Sequence, residues 1–142
     1  MVASWAFVVV WAGFIFFLST NSGDDLHNGM GLFSTVYTAL MAAQEQLFGE
    51  GVDVLSPLAH FFEYTVFGAL LTNALRCHMP LRRAVVVAFA CASVYGVTDE
   101  VHQLFVPDRM CDPIDWLVDT AGGLTGAALV RLGLGKARPM GF

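Results

Sequence analysis

The chain of 142 residues is 56% hydrophobic and 13% charged, against roughly 25% charged residues in an ordinary soluble domain. A small domain has too much surface to hide so many Phe, Val, Leu and Ala side chains, and seven Lys plus Arg are too few to keep it dispersed. A freely soluble globular protein is therefore excluded. The net charge of -5 also speaks against a nucleic-acid partner, which calls for a basic stripe to neutralise phosphates.

Four apolar stretches, at about residues 2–18, 57–75, 81–104 and 113–134, approach the length needed to cross a hydrocarbon core of about 30 Å, roughly 20 helical residues. The first has no Lys or Arg before it and no A-x-A pattern after it, so it reads as a retained span rather than a cleaved leader. The segment 30–48 is nearly uncharged, and Leu32, Val36, Tyr37, Leu40, Met41, Leu47 and Phe48 recur near helical spacing. That pattern suits a helix lying in the outer interface; a fifth span is the rival, and it would upset the sorting of charge described below. Ser56-Pro57 and Asp112-Pro113 each place a capping side chain before a proline at the first helical position. Pro80 closes the connector ahead of the third span.

Charge sets the orientation. Arg76, Arg82 and Arg83 crowd one connector, Arg131, Lys136 and Arg138 follow the last span, and only Arg109 lies elsewhere. The positive-inside rule places both basic segments, and hence both termini, in the cytoplasm. All twelve Asp and Glu residues then fall in outer loops or the outer parts of spans. The expected fold is an all-α polytopic membrane protein: a four-transmembrane-helix bundle with an extracytoplasmic interfacial helix, forming a single domain over residues 1–142.

The candidate chemistry lies near the outer ends of the spans. His60 shares a helix face with Glu63 and Tyr64 by three-and-four spacing; Tyr95, Asp99 and Gln103 share another; Asp115, Asp119, Gly122 and Gly126 form a third stripe. Glu63, Asp99 and Asp119 each fall about two turns inside the outer boundary, roughly 8 to 10 Å deep. Intramembrane carboxylates cost about 2.5 to 3.5 kcal/mol near a span centre, so they normally face a partner or a water-filled cavity. Glu63, Asp99 and Glu100 are the candidate catalytic acids, and His60, Tyr64, Gln103, Arg109, Asp115 and Asp119 the candidate binding residues, facing one outward-opening cavity. Arg109, the lone outward cation, suits a phosphate or carboxylate. The carboxylates could also hold a divalent cation, although spacing alone singles out no metal ligands. The Gly122–Gly126 pair reads as a close helix contact, and the Trp residues as belt or lipid-facing groups. No two of the three cysteines are placed to pair, and no nucleotide-binding, zinc-protease or serine-hydrolase motif is present.

FFLSTNS (residues 16–22), HFFEY (60–64) with Phe67-Gly68, TDEVHQLFVPDR (98–109) and DWLVDTAGGLTG (115–126) together resemble the VanZ-like family of bacterial membrane proteins, over about residues 14 to 130. The namesake is associated with teicoplanin resistance. The sequence departs from the family's pattern at Asp108, usually Gly, and at Asp119, usually Asn. The resemblance implies a multi-pass protein of the bacterial cell membrane with a role in the envelope, but no established reaction. Two functions follow from the residues and the resemblance together. One is a protein in contact with membrane lipids that binds an envelope lipid, a cell-wall precursor or a glycopeptide in its acidic cavity and takes part in glycopeptide resistance. The other is a membrane enzyme acting on a lipid or lipid-linked phosphate at the outer leaflet through its clustered carboxylates.

Overall fold

The computed structural model describes residues 2–20, 32–107 and 111–136, and every regular element among them is an α-helix. These are α1 (Val2–Thr20), α2 (Leu32–Phe48), α3 (Leu55–Leu75), α4 (Leu81–Gln103) and α5 (Pro113–Lys136). Helices α1, α4 and α5 are long and apolar enough to cross a membrane. Helix α3 is 21 residues long, but His60, Glu63, Thr72 and Asn73 lower its hydropathy and it is not among those candidate spans.

Helix α3 is the centre of the bundle and packs on α1, α4 and α5. Directions follow from the contacts that tie the helices together. Trp5 near the start of α1 hydrogen-bonds His78 in the α3–α4 connector, while Thr20 at the end of α1 lies 3.3 Å from His102 at the end of α4. Sequential neighbours in the bundle are thus antiparallel, with α1 alongside α4 and α3 alongside α5 in parallel. One end of the bundle carries Arg76, Arg82, Arg83 and Arg131. The other carries Asp99, Glu100, Asp112 and Asp115.

The buried stripe of α4 shows how the fold positions the polar groups. At the basic end it consists of Ala84, Val85, Ala88 and Ala92; it then passes through Gly96 to Asp99, Glu100 and Gln103. The opposite face, with Val86, Val94, Val97 and Val101, is exposed. Helix α5 repeats the arrangement, with Asp119, Gly122, Gly123 and Gly126 inside and Ile114, Leu117, Leu124 and Leu129 outside. Polar groups within and apolar groups without invert the pattern of a water-soluble bundle. Several hydroxyls close their hydrogen bonds on their own helix, as Thr65 Oγ1 does to Phe61 O and Thr72 Oγ1 to Gly68 O. Such back-bonding removes a donor that an apolar solvent could not satisfy.

Glycines bring α3 and α5 into backbone contact. A Cβ on Gly122 would lie 2.5 Å from Phe61 O, one on Gly126 would overlap Thr65 O, and one on Gly68 would overlap Gly123 O. The pair read from the sequence as a close-packing motif therefore serves as one, against α3.

Capping differs from expectation at one helix and agrees at another. Asp112 Oδ1 accepts Ile114 N at 2.8 Å and so caps α5. Ser56 caps nothing, because α3 starts a residue earlier, at Leu55. Its first N–H groups are taken by Gln44 Oε1, which accepts Val54 N and Leu55 N, and by Asp53 Oδ1, which accepts Ser56 N. Gln44 thereby ties α2 to the bundle. Two indoles expected to be belt or lipid-facing groups also join helices: Trp11 Nε1 donates to Glu63 O and Trp116 Nε1 to Ser93 O.

The α3–α5 seam yields a direct test. Gly126→Leu must push the Thr65 carbonyl away, and backbone has no alternative rotamer, so the loss should be at the upper end of the about 1–3 kcal/mol seen for overpacking. Gly13→Ala, with open space around the new methyl, should be neutral or slightly stabilising through helix propensity. Thermal unfolding of both variants in detergent checks the contrast.

Candidate functional site

Three helices meet at the acidic end of the core. His60 comes from α3, one turn before Tyr64; Asp99, Glu100 and Gln103 come from the last two turns of α4; Asp119 comes from α5, one turn before Gly122. Because Gly122 lies against the Phe61 carbonyl, the α3–α5 seam sets His60 and Asp119 side by side. His60 Nδ1 donates to Asp119 Oδ1 at 3.0 Å. One ligand-type atom each from His60, Asp99 and Asp119 lies within 4.8 Å of the others. Asp119 is fully buried, and Asp99, Glu100 and Gln103 are 3%, 3% and 2% exposed.

Glu100 turns away from that triad toward the connector, where its Oε2 accepts the backbone N–H of Asp112 at 2.7 Å. It thereby joins the end of α4 to the start of α5. Tyr64 is fully buried, its ring at 6.3 Å from Tyr95 and 6.1 Å from Phe67. The Tyr95 hydroxyl donates to Ala12 O at 2.7 Å and brings α1 to the same layer. Glu63 and Asp115 are half-buried. Arg109 lies outside the described residues.

Polar capacity remains in this layer. Glu100 Oε1, Gln103 Nε2, Asp119 Oδ2 and the Tyr64 hydroxyl are buried with no hydrogen-bond partner among the described residues. Each such atom in an apolar interior costs about 1–3 kcal/mol relative to a satisfied one. The arrangement can therefore donate to an anion through Gln103 and Tyr64, accept through Glu100 and Asp119, and exchange a proton within the His60–Asp119 pair.

Gly96 is a site residue that the sequence did not single out. A Cβ there would stand 3.2 Å from Asp119 Oδ2 and 3.3 Å from Trp116, so its absence lets the Asp119 carboxylate rest on α4. The signal was available: Gly96 precedes Asp99 and Glu100 by three and four residues, on the same face. The Ser93–Thr120 hydroxyl pair, 3.0 Å apart, links α4 to α5 one turn deeper.

Helices that turn apolar side chains outward and hold carboxylates in a buried polar layer define an integral membrane protein. The chain belongs to the VanZ/LLP1 family, whose model matches residues 4–134. No curated protein and no solved structure matches it. The matched range runs from the start of α1 to near the end of α5 and takes in every site residue named above.

The His60–Asp119 pair makes a prediction about stability. Removing one partner of a buried pair leaves the other uncompensated, at about 3–5 kcal/mol, so His60→Leu should be strongly destabilising. His60→Leu combined with Asp119→Leu should recover part of that loss. A double-mutant cycle by thermal unfolding in detergent should give a coupling of about 1–3 kcal/mol; additive losses would show that the two side chains do not interact.

Proposed function

We propose that this VanZ-like protein is a four-span component of the bacterial cell membrane that binds an envelope lipid, a cell-wall precursor or a glycopeptide at its acidic end, and so takes part in glycopeptide (teicoplanin) resistance. In this reading α1, α3, α4 and α5 are the spans, both termini are cytoplasmic, and α2 lies along the outer interface with Val36, Leu40 and Leu47 toward lipid. Support for the topology comes from the segregation of the Arg residues to one end of the bundle. Helix α3 lacks the hydropathy of a lone span because its polar side chains are covered by three neighbouring helices.

The observation that carries the binding function is the unused hydrogen-bonding capacity of Glu100 Oε1, Gln103 Nε2 and the Tyr64 hydroxyl at one end of the bundle. A ligand presenting both donors and acceptors, as a phosphate ester, a sugar or a peptide does, would satisfy it. Arg109 follows Gln103 by six residues and supplies the charge for a phosphate or carboxylate. The enzymatic reading is favoured by one observation, the His60–Asp119 hydrogen bond, which is the pairing a general base needs.

Two experiments test these statements. Cys77 in the basic connector and Cys111 beside the start of α5 are both exposed and free. A membrane-impermeant maleimide applied to intact cells should label Cys77→Ser protein at Cys111 and leave Cys111→Ser protein unlabelled; the opposite result would invert the topology. For function, teicoplanin tolerance of a susceptible bacterium expressing the chain should rise. At matched expression, Glu100→Gln keeps an acceptor for Asp112 N and should retain tolerance, as should Asp119→Asn. Gln103→Ala, and Arg109→Ala with the loss of a charge-assisted contact worth about 1.5–3 kcal/mol, should lower ligand affinity by roughly 10- to 100-fold and abolish tolerance. Complete loss in Glu100→Gln would instead assign Glu100 an acid-base role and favour the enzyme.

A further inference from the structure

Two carboxylates and an imidazole are buried against one another at the heart of the polar layer, and neither the Glu100–Asp112 contact nor the anion-binding reading uses them. We propose that His60, Asp99 and Asp119 together bind one divalent transition cation, of the Zn2+ or Mn2+ type. The site stands on its own geometry, whether or not an envelope ligand binds nearby.

The first argument is spacing. Donor atoms of the three residues lie within 4.8 Å of one another. Two ligands of one ion, each at about 2.0–2.1 Å, stand roughly 2.9–3.4 Å apart in octahedral or tetrahedral geometry. His60 Nδ1 and Asp119 Oδ1, at 3.0 Å, already have that separation, and they come from helices whose spacing is held by the glycine seam. Asp99 brings the third donor, within 4.8 Å of the other two.

The second argument is unused polar capacity. Asp119 is fully buried, yet its Oδ2 has no hydrogen-bond partner among the described residues. A cation takes up the lone pairs of Asp119.

The third argument is charge and ligand type. Binding an ion displaces the proton from His60 Nδ1, and in that ion-bound form the neutral imidazole and two carboxylates carry two negative charges, which a divalent ion balances. Mg2+ and Ca2+ prefer all-oxygen sets, whereas one imidazole with carboxylates suits Zn2+ or Mn2+. The three cysteines are exposed elsewhere, so thiolate-selected ions have no claim on the site. Three protein ligands leave open positions, as in sites that exchange a water for another ligand.

Chelator-treated, full-length protein in detergent is the material for the test, with Zn2+ and Mn2+ as the probes. Equilibrium dialysis should find one ion per chain, and the electron paramagnetic resonance spectrum of the Mn2+-loaded protein should show coupling to one imidazole nitrogen. Asp99→Asn and Asp119→Asn should each weaken binding at least tenfold, since even outer partners of a metal site contribute about 10- to 100-fold. His60→Gln should abolish the nitrogen coupling, and Glu50→Gln, on the exposed turn before α3, should change nothing. The wild-type spectrum needs no variant, so poor folding of one substitution leaves the test intact. Failure to bind a stoichiometric ion, or nitrogen coupling that survives His60→Gln, overturns the proposal. Gln103→Ala separates this inference from the proposed function, because it should abolish teicoplanin tolerance and leave the ion bound.

Discussion

Backbone contact between α3 and α5 is the constraint on which the rest of the molecule depends. Gly68, Gly122 and Gly126 allow the two parallel helices to approach until carbonyl oxygens of one face the glycines of the other. In an apolar solvent the hydrophobic effect does not drive helices together, so close van der Waals packing at small residues has to do so. The contact also sets register. With Gly122 lodged on Phe61 O, Asp119 one turn earlier comes within hydrogen-bonding distance of His60.

Helix α4 completes the centre by antiparallel packing on both. Its buried stripe changes character along its length, from alanines at the basic end to Asp99, Glu100 and Gln103 at the acidic end. The bundle is thereby divided into a tightly packed apolar half and a polar half. Gly96 sits at the boundary, where the Asp119 carboxylate rests against α4. Glu100 and Asp99 are adjacent in sequence but about 100° apart around the helix, and they divide their work accordingly: one holds the α4–α5 connector, the other faces the triad. Membership of the VanZ/LLP1 family accounts for the motifs on all these helices without naming a reaction, so the chemistry rests on the site itself.

The all-helical character and the existence of each apolar helix were legible in the sequence, because length and hydropathy are local properties that lipid exposure amplifies. So were the close contact at Gly122 and Gly126, the Asp112 cap, and the gathering of His60, Asp99, Glu100, Gln103 and Asp119 toward one end, since three-and-four spacing and charge placement report helix faces directly. The cap of α3 was not legible. Gln44 reaches it from another helix, ten residues away, and no local motif encodes that.

What the tertiary structure alone decided is which polar groups touch. Spacing put Glu63, Asp99 and Asp119 at one depth, but only the rotation of each helix about its axis, set by the glycine seam and by Trp11, Tyr95 and Trp116 donating to carbonyls across helix boundaries, selects His60 as the partner of Asp119 and directs Glu100 to Asp112. The sequence by itself determined the solvent of this protein and the end at which its polar groups collect, because these depend on the summed properties of each helix. The pairing among those groups depends on sub-helical rotations set by contacts between residues far apart in the chain, and only packing resolves it.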